Sequence, residues 1–223
     1  MRMALVAAAA ALAACSRPAQ TTTDEAAPAA GAQRVACAEF RLVGPGEAHC
    51  GVGLNADSSL TLDGAPLMGG APFIVTSGVD RRAQSLMVYP SPQGRYLYVR
   101  GCEGPQNEPG LCWASRIIDR EGGELRDLTP RSHYGPTREI YWSPDGERFA
   151  LVEPMESYEA LTLVNPASGA IASFPPEGGT DNWRVDDASI RWTSNTALTA
   201  NVEVCNGDTG VCKPAVAQAL TAP

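Results

Sequence analysis

Six cysteines are the side chains best placed for chemistry in this 223-residue chain, because they fall in three close pairs. The pairs are Cys37 with Cys50, Cys102 with Cys112, and Cys205 with Cys212. Closely spaced cysteines form disulfides in an oxidising compartment, although spacing alone leaves their connectivity open. The alternative is a redox or metal site, but there is no Cys-x-x-Cys motif, and only His49 lies beside a cysteine pair. We predict three disulfides, no metal and no cofactor.

Two histidines, His49 and His133, are the imidazoles that could activate a nucleophile. The sequence contains no Gly-x-Ser-x-Gly elbow, no His-Glu-x-x-His motif and no phosphate-binding glycine loop. We therefore predict no catalytic residue and a protein that is not an enzyme. His133 stands in a polar run between predicted strands, where a binding residue could be presented. The alternative is an exposed loop histidine with no role.

Trp183 is the other candidate for binding, because it stands in a polar run close to Asp186 and Asp187. An exposed indole can contact a ligand through its ring and its N–H. The adjacent carboxylates could form half of a cation or sugar site, whereas adjacent carboxylates in a turn are usually only solvated. Trp142 and Trp192 begin strands in the repeat described below, and there a large ring is expected to pack between sheets.

A tight turn that leads into an alternating strand organises the chain. Residues 142–152 have the sequence Trp-Ser-Pro-Asp-Gly-Glu-Arg-Phe-Ala-Leu-Val. Pro144 presets φ for a turn, Asp145 can bond its own backbone, and Gly146 tolerates a left-handed conformation. The strand that follows places alternate side chains on opposite faces, with Arg148, Ala150 and Val152 on one and Phe149 and Leu151 on the other.

The same turn and strand recur at position 90 and, more weakly, at position 192, which gives steps of 52 and 50 residues. A period near 50 residues with several short strands in each unit is typical of radially repeated sheets. Cys102 and Cys205 fall at matching places, 12 and 13 residues after their turn positions. The repeat register therefore favours disulfides within each pair, where they would close hairpin loops.

One repeat also resembles a known family. The segment Gly122–Pro130, followed by Trp142–Gly146 and a strand, is similar to the blade repeat of the TolB-type β-propeller. The resemblance is good for that repeat, partial over 90–130, and weak over 192–218, where the Pro-Asp-Gly core is absent. It implies a propeller that binds other envelope proteins or small ligands, and it specifies a fold rather than a chemistry.

The first residues resemble a bacterial lipoprotein signal. Residues 1–14 are predicted to be a secretory signal, since Arg2 precedes an apolar run that ends in small residues. The run ends in Leu-Ala-Ala-Cys, which resembles the lipobox and implies lipidation of Cys15 with diacylglycerol and an acyl chain such as palmitate; the alternative is a plain signal peptide.

Residues 15–33 contain no Val, Ile, Leu or aromatic residue and are predicted to be a flexible linker. Because Ser16 rather than Asp follows the cysteine, resemblance to Gram-negative lipoproteins implies the periplasmic face of the outer membrane.

Residues 34–223 are predicted to form one all-β domain, a small or partial β-propeller of about four blades of four-stranded antiparallel sheet. The predicted blades are 35–83, 84–130, 131–178 and 179–218. The alternative is an open array of about three blades packed on a partner. In a closed array, a strand at residues 215–220 would complete the ring.

The net charge of the chain limits the classes of partner that it could bind. A net charge of −8 and a sequence pI near 4.8, without any basic run, argue against nucleic acid. The leading hypothesis is a lipid-anchored, non-enzymatic module that binds an envelope protein or a small ligand. The alternative is an envelope hydrolase or lyase with carboxylates on the propeller axis. Ionisable residues that converge from several blades would favour the enzyme.

Overall fold

The computed structural model describes residues 37, 39–75, 81–128, 139–155, 158–176 and 181–223, all in the compact unit Val35–Pro223. Cys15, His133, and the predicted signal and linker lie outside the described residues. In the described ranges, no helix is long and apolar enough to cross a membrane. These ranges contain sixteen β-strands and a short 3-10 turn at Met68–Gly70.

The strands, in chain order, are β1 (Arg41–Val43), β2 (Glu47–His49), β3 (Val52–Leu54), β4 (Leu60–Leu62), β5 (Ala65–Pro66), β6 (Ser85–Pro90), β7 (Tyr96–Cys102), β8 (Ala114–Asp119), β9 (Glu124–Leu128), β10 (Ile140–Trp142), β11 (Phe149–Pro154), β12 (Glu159–Asn165), β13 (Ala170–Phe174), β14 (Asp181–Trp192), β15 (Ala197–Asn206) and β16 (Val216–Thr221).

Four successive antiparallel meanders contain all of these strands except β1. The first meander is β2 to β5, the second β6 to β9, the third β10 to β13 and the fourth β14 to β16. Within each meander every strand pairs with the next one along the chain. The prediction of an all-β fold made of antiparallel sheets of about four strands is confirmed.

Two further pairings join the meanders into three sheets. Strand β1 pairs with β6 and extends the second meander to five strands. Glu159 of β12 pairs with Trp183 of β14, which links the third and fourth meanders into one seven-stranded sheet. Strand β1 lies within the predicted first blade but belongs to the sheet of the second. Its side chains explain this, because Val43 is buried between the first two meanders while Leu42 packs on the opposite face.

The meanders pack face to face in chain order, and a buried apolar cluster fills each of the three interfaces. In β7, Leu97 and Val99 face the first meander, while Tyr96 and Tyr98 face the third. In β11, the predicted alternation is confirmed, with Phe149 and Leu151 facing the second meander and Ala150 and Val152 facing the fourth. Full burial of a side chain such as leucine or phenylalanine contributes about 1.5–3 kcal/mol, so both faces of these strands stabilise the array.

The repeated turn forms as its residue types predict. Gly146 has φ +67° and donates its N–H to the Ser143 carbonyl at 2.8 Å. Asp145 accepts hydrogen bonds from the Ser143 hydroxyl at 2.6 Å and from the Glu147 N–H at 3.1 Å. The corresponding turn of the second meander lies beside it, because Gln93 donates to the Pro144 carbonyl at 3.3 Å. The turns of successive meanders therefore touch as well as their faces.

The six cysteines pair as predicted. Disulfides join Cys37 to Cys50, Cys102 to Cys112, and Cys205 to Cys212. The second of these lies in the core between the second and third meanders, where both cysteines are fully buried. The third closes a loop at the far end of β15. The two hairpin disulfides thus begin at the ends of equivalent strands, since Cys102 is the last residue of β7 and Cys205 the last but one of β15, as the repeat register predicted.

Strand β16 completes the fourth meander. It pairs with β15 over the registers from Ala197↔Thr221 to Val202↔Val216. The hypothesis that residues 215–220 close a ring is not met, because within the described ranges β16 has no partner in the first meander. Leu220 is 7% exposed and packs into the core beneath its own sheet. Burial of that side chain holds β16 at the end of the fourth meander.

Candidate functional site

Trp183 is not in an exposed polar loop, and the prediction of its position was wrong. It lies in β14, is 9% exposed and packs in the core between the third and fourth meanders. Its ring stacks on Phe174 with centroids 6.1 Å apart and an interplanar angle of 18°. Arg184 and Asp186, which made this run polar, are exposed on the opposite face of the strand. The indole therefore belongs to the core and not to a ligand site.

The histidine and cysteine groups are engaged in the fold. His49 Nε2 lies 2.7 Å from the Glu39 carbonyl and 3.8 Å from Cys37 Sγ. The possible ligand atoms of Cys37, His49 and Cys50 lie within 4.8 Å of one another, but both sulfurs belong to one disulfide. A second such group, Glu203 with Cys205 and Cys212, is closed by a disulfide in the same way. Since thiolates are the metal ligands, neither group offers a cysteine donor while oxidised.

The pair Asp186-Asp187 lies at an irregularity in β14, where the register with β15 shifts between Asp186 and Arg191. Ser189 closes this bulge, since its hydroxyl donates to the Asp186 carbonyl at 2.6 Å and accepts from the Asn201 N–H at 2.7 Å. The Asp186 carboxylate accepts from the Ala188 N–H at 3.2 Å. A bulge re-aims the side chains beside it, and the alternation of buried and exposed residues in β14 changes phase before Ile190, which is buried.

The Asp187 carboxylate acts electrostatically on Tyr141 of the neighbouring meander. The pKa of Tyr141 is raised, first by burial and then by the negative charges of Asp187 and Glu139, while Arg191 acts in the opposite direction. We call Glu139, Tyr141, Asp187 and Arg191 the Tyr141 cluster. It combines two residues from the start of the third meander with two from β14.

Backbone contacts fix the position of this cluster. The Trp192 indole N–H donates to the Tyr141 carbonyl at 2.9 Å, which ties β10 to the end of β14. Tyr141 and Asp187 are half-buried, whereas Glu139 and Arg191 are exposed. A tyrosine phenol is protonated at neutral pH, and here its pKa is raised further, so it can donate a hydrogen bond. The cluster thus offers carboxylate acceptors, a phenol and a guanidinium on one accessible surface.

A second set of polar side chains is fully enclosed between the second and third meanders. Tyr98 and Ser115 hydroxyls lie 3.0 Å apart, Arg100 donates to the Cys112 carbonyl at 2.5 Å, and Thr162 donates to the Glu153 carboxylate. Arg100 and Glu153 are each 1% exposed. We call these residues the buried seam.

The electrostatics of the buried seam follow from its enclosure. Burial raises the pKa of Tyr98, the Glu153 charge adds to this, and the Arg100 charge and the Ser115 hydrogen bond oppose it. Buried hydrogen bonds of this kind orient the elements around them. Since no side chain of the seam is exposed, we assign it to the assembly of the two meanders rather than to ligand binding.

Sequence analysis missed three members of the Tyr141 cluster. Glu139, Tyr141 and Arg191 carry no motif, and the cluster exists only because β10 lies beside the end of β14. Asp187 was singled out as one of two adjacent carboxylates, but its partner was expected to be Asp186. One feature of the sequence pointed to two of these residues. Tyr141 directly precedes Trp142 of the repeat, and Arg191 directly precedes Trp192, which is the counterpart of Trp142 in the next repeat.

Comparison with known proteins gives fold-level likeness alone. No family model and no curated protein matches the chain. Similar solved structures include a hydrazine synthase from Kuenenia stuttgartiensis, with 17% identity over 77% of this chain and 47% of that one and a TM-score of 0.37. TolB from Acinetobacter baumannii shares 12% identity over 65% and 35% of the two chains, with a TM-score of 0.31. A gluconolactonase from Xanthomonas campestris shares 15% identity over 77% and 57%, with a TM-score of 0.32.

This chain therefore spans between 35% and 57% of the lengths of these three proteins. Strand pairing and packing define the architecture. A fold does not determine a function, so the function depends on the residues of the Tyr141 cluster.

Proposed function

We propose that this chain is a non-enzymatic binding module of the TolB-like repeat type, held at the bacterial cell envelope by a lipid on Cys15. Its partner is another envelope protein or a small ligand. The observation that carries the proposal is the Tyr141 cluster, where polar groups from two neighbouring meanders meet on a half-exposed surface. A few oriented polar groups on a rigid scaffold are what selective binding requires.

The rigidity of this surface supports binding. The cluster is attached to β10 and β14, whose relative position is fixed by the hydrogen bond between Trp192 and the Tyr141 carbonyl. The hydrogen bonds of Ser189 hold the bulge in which Asp187 lies. Folding already orders these groups, so they lose little conformational entropy when a partner binds.

The anchor is supported by the sequence. The apolar run that ends in Leu-Ala-Ala-Cys resembles a lipobox, and two or more acyl chains give stable membrane anchoring. Disulfides persist in oxidising compartments such as the periplasm, which agrees with an exported protein. We place the module at the periplasmic face of the outer membrane because Ser16 follows Cys15.

Crosslinking in cells tests the proposal. The full chain is expressed with its signal, crosslinked and purified, and the proteins that accompany it are identified by mass spectrometry, with Cys15→Ala as the unanchored control. We expect one stoichiometric envelope protein with the natural chain and its loss from the control. Recovery of the chain alone, together with no bound small molecule in native mass spectrometry, would contradict a binding module.

Variants of the cluster connect the partner to this surface. Tyr141→Phe removes the phenol hydroxyl and Asp187→Asn removes a charge beside it, so each should lower recovery of the partner about tenfold, which corresponds to about 1.4 kcal/mol. Asp181→Asn is the matched control, because Asp181 is an exposed carboxylate at the other end of β14. Equal recovery from all three variants would show that the partner binds elsewhere.

The second candidate is an envelope hydrolase or lyase, and one observation favours it. Glu139 and Asp187 both act on the same phenol, and a carboxylate pair can supply a general acid and a general base. Hydrolysis of chromogenic esters, lactones and glycosides by the purified chain tests this function. We expect no turnover; turnover that Glu139→Gln abolishes while leaving the fold intact would favour the enzyme over the binding module.

A further inference from the structure

The free edge of β16 is the longest uncharged sheet edge among the described residues. Strand β16 covers six residues, pairs with β15 alone in the part of the chain that the structure describes, and lies at the end of its sheet. After Lys213, residues 214–223 contain no charged side chain. Edge strands usually carry a charge, a bulge or a proline that prevents pairing with another chain. Strand β9, for example, carries Glu124, Arg126 and Asp127.

The pairing pattern shows which backbone groups point outward. Ala222 donates its N–H to the Thr196 carbonyl at 2.8 Å, which continues the register that pairs Ala197 with Thr221. In an antiparallel ladder, hydrogen-bonded and non-hydrogen-bonded residue pairs alternate. The N–H and C=O groups of Ala217, Ala219 and Thr221 therefore face away from β15, and all three residues are exposed.

These outward groups are symmetric about Ala219. If a second β16 approaches antiparallel with Ala219 opposite Ala219, then Ala217 lies opposite Thr221 and all three residues on each strand form hydrogen-bonded pairs. The side chains of these residues are two alanines and a threonine, so no bulky group obstructs the approach. No like charges oppose one another across the strands, although the chain as a whole carries −8.

We propose that β16 is a self-complementary interface through which two copies of this chain pair edge to edge about a twofold axis at Ala219. The pairing joins two seven-stranded sheets into one continuous sheet and leaves no free β16 edge. An isologous contact of this kind uses the same patch on both copies, and the symmetry of the outward groups meets that requirement. The proposal is independent of the Tyr141 cluster and of the proposed function.

Engineered cysteines test the register. In a full chain that carries Cys15→Ser, Ala219→Cys places two thiols at the twofold axis, where Cα atoms of a hydrogen-bonded pair lie about 5.5 Å apart. That separation permits a disulfide. Ala217→Cys is the matched control, because its two copies would lie four residues apart along the strands, roughly 14 Å. We expect a covalent dimer from Ala219→Cys and none from Ala217→Cys.

Solution mass tests the interface without a crosslink. We expect the Cys15→Ser chain to sediment with twice the mass of a single chain at high concentration. Ala219→Pro removes an outward N–H while every β15 hydrogen bond is kept, so it should yield a folded monomer. Ala219→Lys should also yield a folded monomer, because it places like charges opposite each other across the twofold axis. A natural chain that stays monomeric, equal crosslinking of both cysteine variants, or a dimer that survives both substitutions would overturn the proposal.

Discussion

At the scale of single residues, Tyr98 shows how polar atoms are tolerated in the interface between the second and third meanders. Its ring lies 5.2 Å from that of Phe149 and 5.9 Å from that of Tyr89, so it packs among aromatic side chains of both meanders. Its hydroxyl lies 3.0 Å from that of Ser115, and both residues are buried. A buried hydroxyl without a partner is costly, so each of these two groups depends on the other.

Tyr98→Phe should therefore destabilise the fold beyond the loss of one oxygen. The substitution leaves the buried Ser115 hydroxyl without its partner, which should lower the free energy of unfolding by about 1–3 kcal/mol. Adding Ser115→Ala removes the orphaned group, so the double variant should be less destabilised than the sum of the single variants. Urea unfolding of the four proteins measures this coupling. Simple additivity would mean that the two hydroxyls do not stabilise each other.

Asp145 gives a prediction about pH. Burial acts to raise its pKa, but the Ser143 hydroxyl, the Glu147 N–H and the Arg148 charge outweigh it and hold the pKa below the ordinary 3.8. A carboxyl whose pKa is lowered by folding contributes stability above its unfolded pKa and loses it as pH falls through the folded value. The natural chain should be more stable than Asp145→Asn at pH 7, and the difference should be smaller at a pH well below 3.8, where the carboxyl becomes protonated. Unfolding free energies at both pH values test this, and an unchanged difference would contradict it.

Residue types predicted the turns better than the sites. Asp145 was assigned to local backbone bonds because its position beside Pro144 and Gly146 determines the conformation of the turn. Trp183 was misplaced because its polar neighbours suggested a loop. In β14 those neighbours face solvent while Trp183 and Val185 face the core. The correct indication was the alternation of buried and exposed residues over 183–187, which the charged residues on the outer face obscured.

At the scale of elements, the two hairpin disulfides differ in their surroundings. Cys102 and Cys112 are fully buried in the core between the second and third meanders, whereas Cys212 is half-buried at the end of β15. In the chain-entropy model, either cross-link stabilises by about 2–3 kcal/mol, because the closed loops have similar lengths. The buried pair should contribute more, since its removal also leaves a cavity.

Replacing each pair by alanines tests this difference. Cys102→Ala with Cys112→Ala should lower the free energy of unfolding by more than Cys205→Ala with Cys212→Ala, by about 1 kcal/mol or more. Guanidinium unfolding of the two variants and the natural chain gives the comparison. Equal losses would mean that the core closes around the missing sulfurs.

Strand composition predicted antiparallel sheets of about four strands but not all of the strand partners. The repeat period located the tight turns and strands of the second and third meanders, because proline, glycine and alternating apolar residues act locally. The pairing of β1 with β6 and of Glu159 with Trp183 joins residues far apart in sequence. The Tyr141 cluster depends on the same kind of contact. Such contacts depend on how whole sheets pack against each other. The order of residue types within one strand does not specify that packing.

At the scale of the whole molecule, the order of the interfaces distinguishes an open array from a ring. Three buried clusters join successive meanders, and among the described residues none joins the fourth meander to the first. The outer face of β15 carries Thr199, Asn201 and Glu203, which suit contact with solvent. In such a serial array each meander depends directly on its neighbours along the chain.

Hydrogen exchange of two matched leucine variants should reveal this order. Leu97→Ala removes a fully buried side chain between the first and second meanders, and Leu163→Ala removes one between the third and fourth. Each should cost about 2–5 kcal/mol. For amides that exchange by local opening, Leu97→Ala should speed exchange in β3 and β4, and Leu163→Ala in β15 and β16. In a closed ring the fourth meander would also support the first, so faster exchange of β3 and β4 in Leu163→Ala would show that the array closes.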